Sequence, residues 1–239
     1  GKLNVIKAVG KLVNLREAVD QDAPADAFAG IGHTRWATHG RPTVANAHPH
    51  VSPDGRFALV HNGIIENADN LRAQLRAQGA IFTSETDTEV VVHLLAHAYD
   101  QADPASYTGE VAQLSGTDEA VARRLVVAMR EVTAKLEGTF TLLALSTESP
   151  NVIVAARRSS PLVIGLGEGE NFLGSDVLAF IEHTNRAVEI GQDQLVVVSG
   201  YAVTVIGADG HPVPLKEYEV DFSADRATKG GWPTFMEKE

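Results

Sequence analysis

The chain contains no cysteine, which removes disulfides, thiolate nucleophiles and thiolate metal ligands from its 239 residues. Basic residues are also scarce, since 20 lysines and arginines stand against 31 aspartates and glutamates, for a net charge of −11. This balance argues against non-specific binding to nucleic acid or to an anionic membrane. No apolar run approaches the roughly 20 residues of a membrane-spanning helix, and no signal peptide is recognisable. We therefore expect a cytoplasmic protein without nucleic-acid or membrane partners.

The aromatic content is low, at 6%, whereas the apolar share of 44% and the charged share of 21% are ordinary for a globular protein. Apolar residues recur with helical spacing over 68–78, 87–99 and 118–136, and a short helix is predicted after Gly10. Residues 3–9 alternate weakly, as a strand does, and short Val-, Ile- and Leu-rich runs follow residue 139. Short turns between such runs favour antiparallel pairing, so we expect an α+β fold with helices covering the sheets.

The stretch His33–Gly40, HTRWATHG, follows neither a helical nor a strand period. Its polar side chains cost free energy if they are buried without partners. Arg35 carries a guanidinium that suits a carboxylate or phosphate, although a structural ion pair with one of the chain's acids is an equal alternative. Trp36, one of only two tryptophans, favours a lined pocket over an exposed loop.

Four histidines in the same region, His33, His39, His48 and His50, support a second hypothesis, a metal site. Zinc usually takes three protein ligands with ordered outer partners. Pro49 lies between the last two histidines and restricts how their rings converge. A metal-dependent hydrolase is thus an alternative interpretation of this cluster.

Two further positions allow both a structural and a chemical interpretation. Asn62-Gly63 is a strong hairpin-turn signal, yet an asparagine amide and a glycine N–H can also form an oxyanion hole. Asp87 lies in the first turn of a predicted helix, where a carboxylate complements the helix dipole. The same carboxylate could bind a substrate ammonium. From the residue types alone, the turn and the dipole are the favoured interpretations.

Four segments stand in a specific order: HTRWATHG at 33–40, NAHPH at 46–50, HNGIIEN at 61–67 and SETDTEV at 84–90. Together with the later AARRSSPLVIG and NFLGSD, they resemble the class II glutamine amidotransferase domain of the glucosamine-6-phosphate synthase family. The resemblance covers nearly the whole chain. It implies an N-terminal-nucleophile-hydrolase-like αββα sandwich of four layers with two antiparallel sheets.

The resemblance also implies a role for several residues in binding L-glutamine. Arg35 would bind the α-carboxylate, and Asp87 would bind the α-ammonium. Thr38 and His39 would line the same pocket, and Trp36 would help to close it. No cofactor and no metal are expected in this interpretation.

Asn62 and Gly63 would form the oxyanion hole, which reverses the preference for a turn. The nucleophile of the family is an N-terminal cysteine whose own amine acts as the base, with a pKa of about 8. Because these 239 residues hold no cysteine, we expect no glutaminase activity from them alone.

For the domain organisation, we expect an amidotransferase domain over 1–215 that lacks the N-terminal strand and cysteine of the family, and a linker over 216–239. The linker would lead to sugar-isomerase domains outside this sequence, in an enzyme that forms homo-oligomers. That enzyme would hydrolyse L-glutamine to L-glutamate and use the ammonia to convert fructose 6-phosphate to glucosamine 6-phosphate. The metal-dependent hydrolase and a non-catalytic glutamine-binding module are the alternatives.

Overall fold

The computed structural model describes residues 2–22, 27–35 and 40–221. Its four α-helices are α1 (Leu12–Gln21), α2 (Ala68–Ala77), α3 (Asp87–Gln101) and α4 (Gly116–Lys135). The first six strands are β1 (His50–Val51), β2 (Phe57–Ile65), β3 (Gly138–Ser146), β4 (Ser149–Arg158), β5 (Val163–Leu166) and β6 (Asn171–Gly174). The others are β7 (Arg186–Glu189), β8 (Leu195–Val198), β9 (Val203–Ile206), β10 (Pro212–Val213) and β11 (Glu217–Glu219).

The strands form two sheets, a seven-stranded one in the order β1-β2-β3-β4-β8-β9-β10 and a four-stranded one in the order β11-β7-β5-β6. Every pairing between these strands is antiparallel. The prediction of an α+β fold with antiparallel sheets is therefore confirmed.

The larger sheet is covered on both faces. On one side, apolar side chains of α2, α3 and α4 pack against it, including the fully buried Leu95, Leu125 and Met129. On the other side, residues such as Val196 meet Ile164 of the smaller sheet. The described residues thus form a helix layer and two sheet layers. A short 3₁₀ helix at Val177–Ala179 follows β6 of the smaller sheet.

The helix ends show how the sequence sets the local structure. Thr86 caps α3, because its side-chain oxygen accepts a hydrogen bond from the Glu89 N–H at 3.4 Å. The Thr86-to-Glu89 spacing predicts that the Glu89 carboxylate reaches back to this cap. Instead, the carboxylate accepts bonds from the N–H and hydroxyl groups of Thr83 and Ser84, at 2.6–2.8 Å. Glu89 therefore ties the preceding loop to the helix that begins with Asp87.

Two local predictions are wrong. Residues 3–9 form no strand, and none of the strand pairings in the described chain includes them. The sequence predicts that Asn67 caps α2, because asparagine is a preferred N-cap residue, but its side chain makes no cap bond. Its amide instead donates to the Lys135 carbonyl at 2.8 Å and accepts from the Glu137 N–H at 3.1 Å. Asn67 thus joins the start of α2 to the end of α4.

The smaller sheet extends past residue 215, where the sequence suggested the start of a linker. Glu217–Glu219 form β11, which pairs with β7 through Tyr218 opposite Ala187. Residues 222–239 lie outside the described residues. None of the helices in the described part of the chain combines the length and the apolar character needed to cross a bilayer.

Candidate functional site

Asn62 and Gly63 lie within a strand and not in a turn. Strand β2 pairs with β3 along its whole length, with Asn62 opposite Thr141 and Gly63 opposite Phe140. The interpretation of Asn62-Gly63 as a hairpin turn is therefore wrong. Pairing with β3 decides the conformation, because β3 pairs with the residues before the dipeptide, with the dipeptide itself and with the residues after it.

Gly63 is required by the close approach of β3. Its φ is +133°, in a region that side chains rarely adopt. A Cβ at this position would lie 2.8 Å from the carbonyl carbon of Thr139 and 2.9 Å from the Cα of Phe140, and still closer to the Thr139 oxygen. These are backbone atoms that cannot move aside alone. The structure therefore gives a packing reason for this glycine, in addition to any role toward a ligand.

Asp87 begins α3 as a buried carboxylate, 9% exposed. Its Oδ2 accepts a hydrogen bond from the Ile65 N–H at 3.0 Å, and its Oδ1 accepts one from the Thr88 N–H at 2.9 Å. Among the ion pairs within residues 2–22, 27–35 and 40–221, only the His61 ring, 3.7 Å away, meets this carboxylate. A buried carboxylate held by N–H groups and lacking a lysine or arginine is suited to receive a cationic ligand.

The same bond places Asp87 beside the end of β2. Its partner Ile65 is two residues after Gly63 in one continuous strand. The predicted ammonium-binding residue and the predicted oxyanion hole are thus brought to one region of the fold.

The histidines form a buried network through two threonine hydroxyls. The Oγ1 of Thr88 lies 2.9 Å from His48 Nε2 and 3.2 Å from His61 Nδ1. The Oγ1 of Thr86 lies 3.0 Å from His50 Nε2. A single hydroxyl can donate only one proton, so Thr88 links the two rings as donor to one and acceptor from the other, or as acceptor from both.

The rings of His48 and His50 are neutral at physiological pH. Burial lowers the pKa of His48 to about 2, and the neighbouring histidine rings and Arg35 add to the shift. Burial also lowers the pKa of His50 to about 4, with Lys7 adding to the shift and Glu89 opposing it. Burial is likewise the main reason for the lowered pKa of His33.

No group of three or more His, Cys, Asp or Glu side chains in the described chain could hold a metal ion. Ring nitrogens of His48 and His50 are already occupied by threonine hydroxyls. His39, the fourth member of the proposed metal cluster, lies outside the described residues. The metal-dependent hydrolase is therefore not favoured.

The buried histidines predict an acid-sensitive fold. Between pH 6.5 and their lowered folded-state pKa, His48 and His50 take up protons only when the chain unfolds, so stability falls as the pH falls. For each of these two histidines, we expect the free energy of unfolding to fall by up to about 1.4 kcal/mol for every unit by which the pH drops below 6.5. Denaturant unfolding at pH 7.5, 6.5 and 5.5 would measure this loss.

The matched variants for this measurement are His48→Gln and His211→Gln. Removing the buried ring should flatten the pH dependence, whereas removing His211, which is exposed, should leave it unchanged. Equal pH slopes for the unsubstituted chain and His48→Gln would contradict the prediction.

Arg35 is half-buried and makes only long bonds to backbone, at 3.4 Å to the carbonyls of Gly40 and Arg41. None of the ion pairs within the three described ranges involves Arg35. The structural ion pair is therefore not observed there, and the guanidinium can still bind a carboxylate. It lines a cavity of about 550 Å³, together with His33, Thr34 and His48.

The charges of Arg35 and Asp87 both act on the pKa of His50, which Arg35 lowers and Asp87 raises. The described residues that line the cavity with Arg35 do not include Asp87, Asn62 or Gly63. Trp36, Thr38 and His39, the other predicted pocket residues, lie outside the described residues. Their roles stay predictions.

One contact at the site was not anticipated from the sequence. The Asn62 side-chain amide donates a hydrogen bond to Ser160 Oγ at 3.2 Å, although 98 positions separate the two residues. Ser160 is inside the AARRSSPLVIG segment, so the family resemblance was the one sequence signal that pointed to it.

Comparisons with known proteins agree with the geometry. Residues 4–109 match the family profile described as a glutamine amidotransferase domain. Over all 239 residues, the chain is 51% identical to the glutamine–fructose-6-phosphate aminotransferases (isomerizing) of Leifsonia xyli and Streptomyces coelicolor. It is 46% identical to the corresponding protein of Corynebacterium glutamicum. The chain spans 36% of the length of each of these relatives.

Two solved structures share the fold. The glutamine phosphoribosylpyrophosphate amidotransferase of B. subtilis, complexed with ADP and GMP, aligns with a TM-score of 0.50 and 24% identity. A structure of the allosteric regulatory enzyme of purine biosynthesis aligns with a TM-score of 0.54 and 22% identity. Each alignment covers 72% of this chain and 33% of the other chain. From the family profile, the full-length similarity and the fold together, the chain belongs to the glutamine amidotransferase domain family, with the N-terminal-nucleophile hydrolase fold.

Proposed function

We propose that these residues form the glutamine-binding and oxyanion-stabilising part of a glutaminase, which converts L-glutamine to L-glutamate and releases ammonia. The observation that carries the proposal is Asp87, a buried carboxylate without a lysine or arginine partner in the described chain, next to the strand that holds Asn62 and Gly63. An uncompensated buried charge is costly unless a ligand or partner neutralises it.

A free amino acid needs one cationic and one anionic partner. Arg35 binds the α-carboxylate through its guanidinium, and Asp87 binds the α-ammonium. The two N–H bonds that Asp87 accepts keep its oxygens in place before the ligand arrives, which reduces the ordering cost of binding. Trp36, Thr38 and His39 complete the pocket in this proposal.

Asn62 and Gly63 stabilise the negative charge that develops on the amide oxygen of glutamine. Loss of one such donor typically raises the barrier by about 3–4 kcal/mol. The attacking group is not among these 239 residues, which contain no cysteine. In this family the nucleophile is an N-terminal cysteine, so hydrolysis requires a nucleophile that these 239 residues do not contain.

The names of the relatives suggest the fate of the ammonia. They are aminotransferases for fructose 6-phosphate, and they are much longer than this chain. We propose that the ammonia serves the formation of glucosamine 6-phosphate in sugar-isomerase domains of the same protein, in a cytoplasmic homo-oligomer. The amidotransferase domain in this proposal extends through β11, and the linker begins after Glu219.

Isothermal titration calorimetry of the 239-residue chain with L-glutamine tests the proposed function. We expect saturable binding of L-glutamine and of L-glutamate, and weaker binding of D-glutamine, whose ammonium and carboxylate cannot both reach Asp87 and Arg35 with the side chain in place. We expect no release of glutamate, because a thiol nucleophile is absent.

Two results would contradict this expectation. Absence of L-glutamine binding by folded protein would refute the pocket. Glutamate release by protein with a measured mass of 25.5 kDa would refute the need for an external nucleophile. Glutaminase activity of the natural gene product that carries these residues then separates a glutaminase from a non-catalytic glutamine-binding module.

A further inference from the structure

Ser160 is a buried side chain, 7% exposed, that has no part in the proposed chemistry so far. It follows β4, and its Oγ receives the hydrogen bond from Asn62 Nδ2 at 3.2 Å. Asn62 itself is exposed, so this bond joins a buried hydroxyl to the proposed oxyanion donor. The side-chain amide of Asn62 would otherwise be free to rotate about its own axis.

The backbone at Ser160 and at the residue after it is held in place. Its carbonyl accepts a hydrogen bond from Arg157 Nε at 2.6 Å. The next carbonyl, that of Pro161, accepts one from Thr141 Oγ1 at 3.0 Å. Thr141 lies directly opposite Asn62 in the sheet. The Ser160 hydroxyl is therefore fixed with respect to the same strand pair that carries Asn62.

His33 is a further neighbour of Asn62. Burial lowers the pKa of His33, and an interaction with the Asn62 side chain opposes this shift. Of the two N–H groups of the Asn62 amide, one donates to Ser160, so one is left for a ligand.

We propose that Ser160 is a positioning residue for the glutaminase reaction: it fixes the orientation of the Asn62 amide so that the remaining N–H faces the developing oxyanion. This inference rests on the proposed function. Because the donor acts when charge develops on the amide oxygen, loss of the Ser160 hydroxyl affects the chemical step and leaves the binding of glutamine in the ground state unchanged.

The experiment uses the natural protein that carries these residues together with its nucleophile. For Ser160→Ala, we expect kcat for glutamine hydrolysis to fall about 10-fold with KM unchanged, less than the roughly 10²- to 10³-fold loss typical of removing an oxyanion donor. Ser160→Thr, which keeps a hydroxyl, should restore most of the rate. Ser160→Cys, similar in size but a weaker acceptor, replaces the alanine variant if that variant does not fold.

Two comparisons show whether Ser160 acts through Asn62. Ser159→Ala removes the neighbouring hydroxyl, which accepts from Gln192 at 3.3 Å, and should leave kcat within about twofold of the unsubstituted value, as for a substitution outside the functional features. In an Asn62→Ala background, Ser160→Ala should lower kcat no further, since the group that it positions is gone.

The outcomes separate this inference from the proposed function. Glutamine hydrolysis by the unsubstituted protein with an unchanged kcat for Ser160→Ala overturns the inference alone, as does an additive effect in the Asn62→Ala background. If the unsubstituted protein neither binds nor hydrolyses glutamine, the proposed function fails, and the inference fails with it.

Discussion

Replacing Gly63 with alanine is expected to lower the free energy of unfolding by about 4 kcal/mol, since a strained φ and an overpacked contact each cost about 1–3 kcal/mol. The new methyl group would meet the backbone of Thr139 and Phe140, and its residue would have to adopt a φ of +133°. To relieve this clash, β2 and β3 would have to move apart at this point, or the pairing of residue 63 with Phe140 would have to be lost. Chemical denaturation followed by circular dichroism measures the loss directly.

Gly55 provides the matched control for this substitution. Its φ is +73°, and a Cβ there would meet nothing within 4 Å. Gly55→Ala therefore carries only the backbone penalty of the left-handed region, about 1–2 kcal/mol. A similar loss of stability in the two variants would show that β3 does not restrict position 63, and would contradict the close approach described above.

Replacing Asp87 with asparagine is expected to weaken L-glutamine binding by about 100-fold, within the range for one partner of a buried, hydrogen-bonded charge pair. Asparagine has nearly the same shape but no negative charge, so the α-ammonium loses its counter-ion. The amide also cannot accept both N–H bonds that Ile65 and Thr88 now donate, so one of them is lost. Calorimetric titration of the variant with L-glutamine measures the change in affinity.

Asp69 is the control for the charge itself. It occupies the first turn of α2, as Asp87 does in α3, but it is exposed. Asp69→Asn should leave glutamine affinity unchanged while altering the net charge by the same amount. Circular dichroism of both variants confirms that the fold is retained. Unchanged affinity in folded Asp87→Asn would remove the residue from the proposed site.

Glutamine analogues extend this test to individual contacts. An analogue without the α-ammonium should bind the unsubstituted chain weakly and should lose little more in Asp87→Asn, because the missing group is the one that Asp87 contacts. An analogue without the α-carboxylate should behave in the same way toward Arg35→Ala. This pairing assigns each half of the zwitterion to one side chain.

Local signals in the sequence predicted most of the regular structure. The helical period over residues 87–99 and the capping residue Thr86 place α3, which extends from Asp87 to Gln101. The Val-, Ile- and Leu-rich runs expected after residue 139 lie in strands β3 to β9. These features depend on residues close together in the chain, where periodicity, caps and turn residues act directly.

The site itself depended on a different kind of information. From the residue type alone, Arg35 was equally compatible with a ligand-binding role and a structural role, and Asp87 favoured the structural role. Only the order of the four motifs pointed to glutamine. The sequence thus determined the family and the candidate residues, because a set of motifs in a specific order is far rarer than any one of them.

Only the tertiary structure decided what surrounds those residues. Because of pairing with β3, Asn62 and Gly63 lie in a strand although their local sequence favours a turn. The same pairing leaves no room for a side chain at Gly63. Packing across 98 positions brought Ser160 to Asn62, whereas residues 3–9, which alternate as a strand does, take part in no strand pairing of the described chain. The physical reason is the same in each case: hydrogen-bond partners and steric neighbours from distant segments outweigh a local preference of about 1 kcal/mol or less.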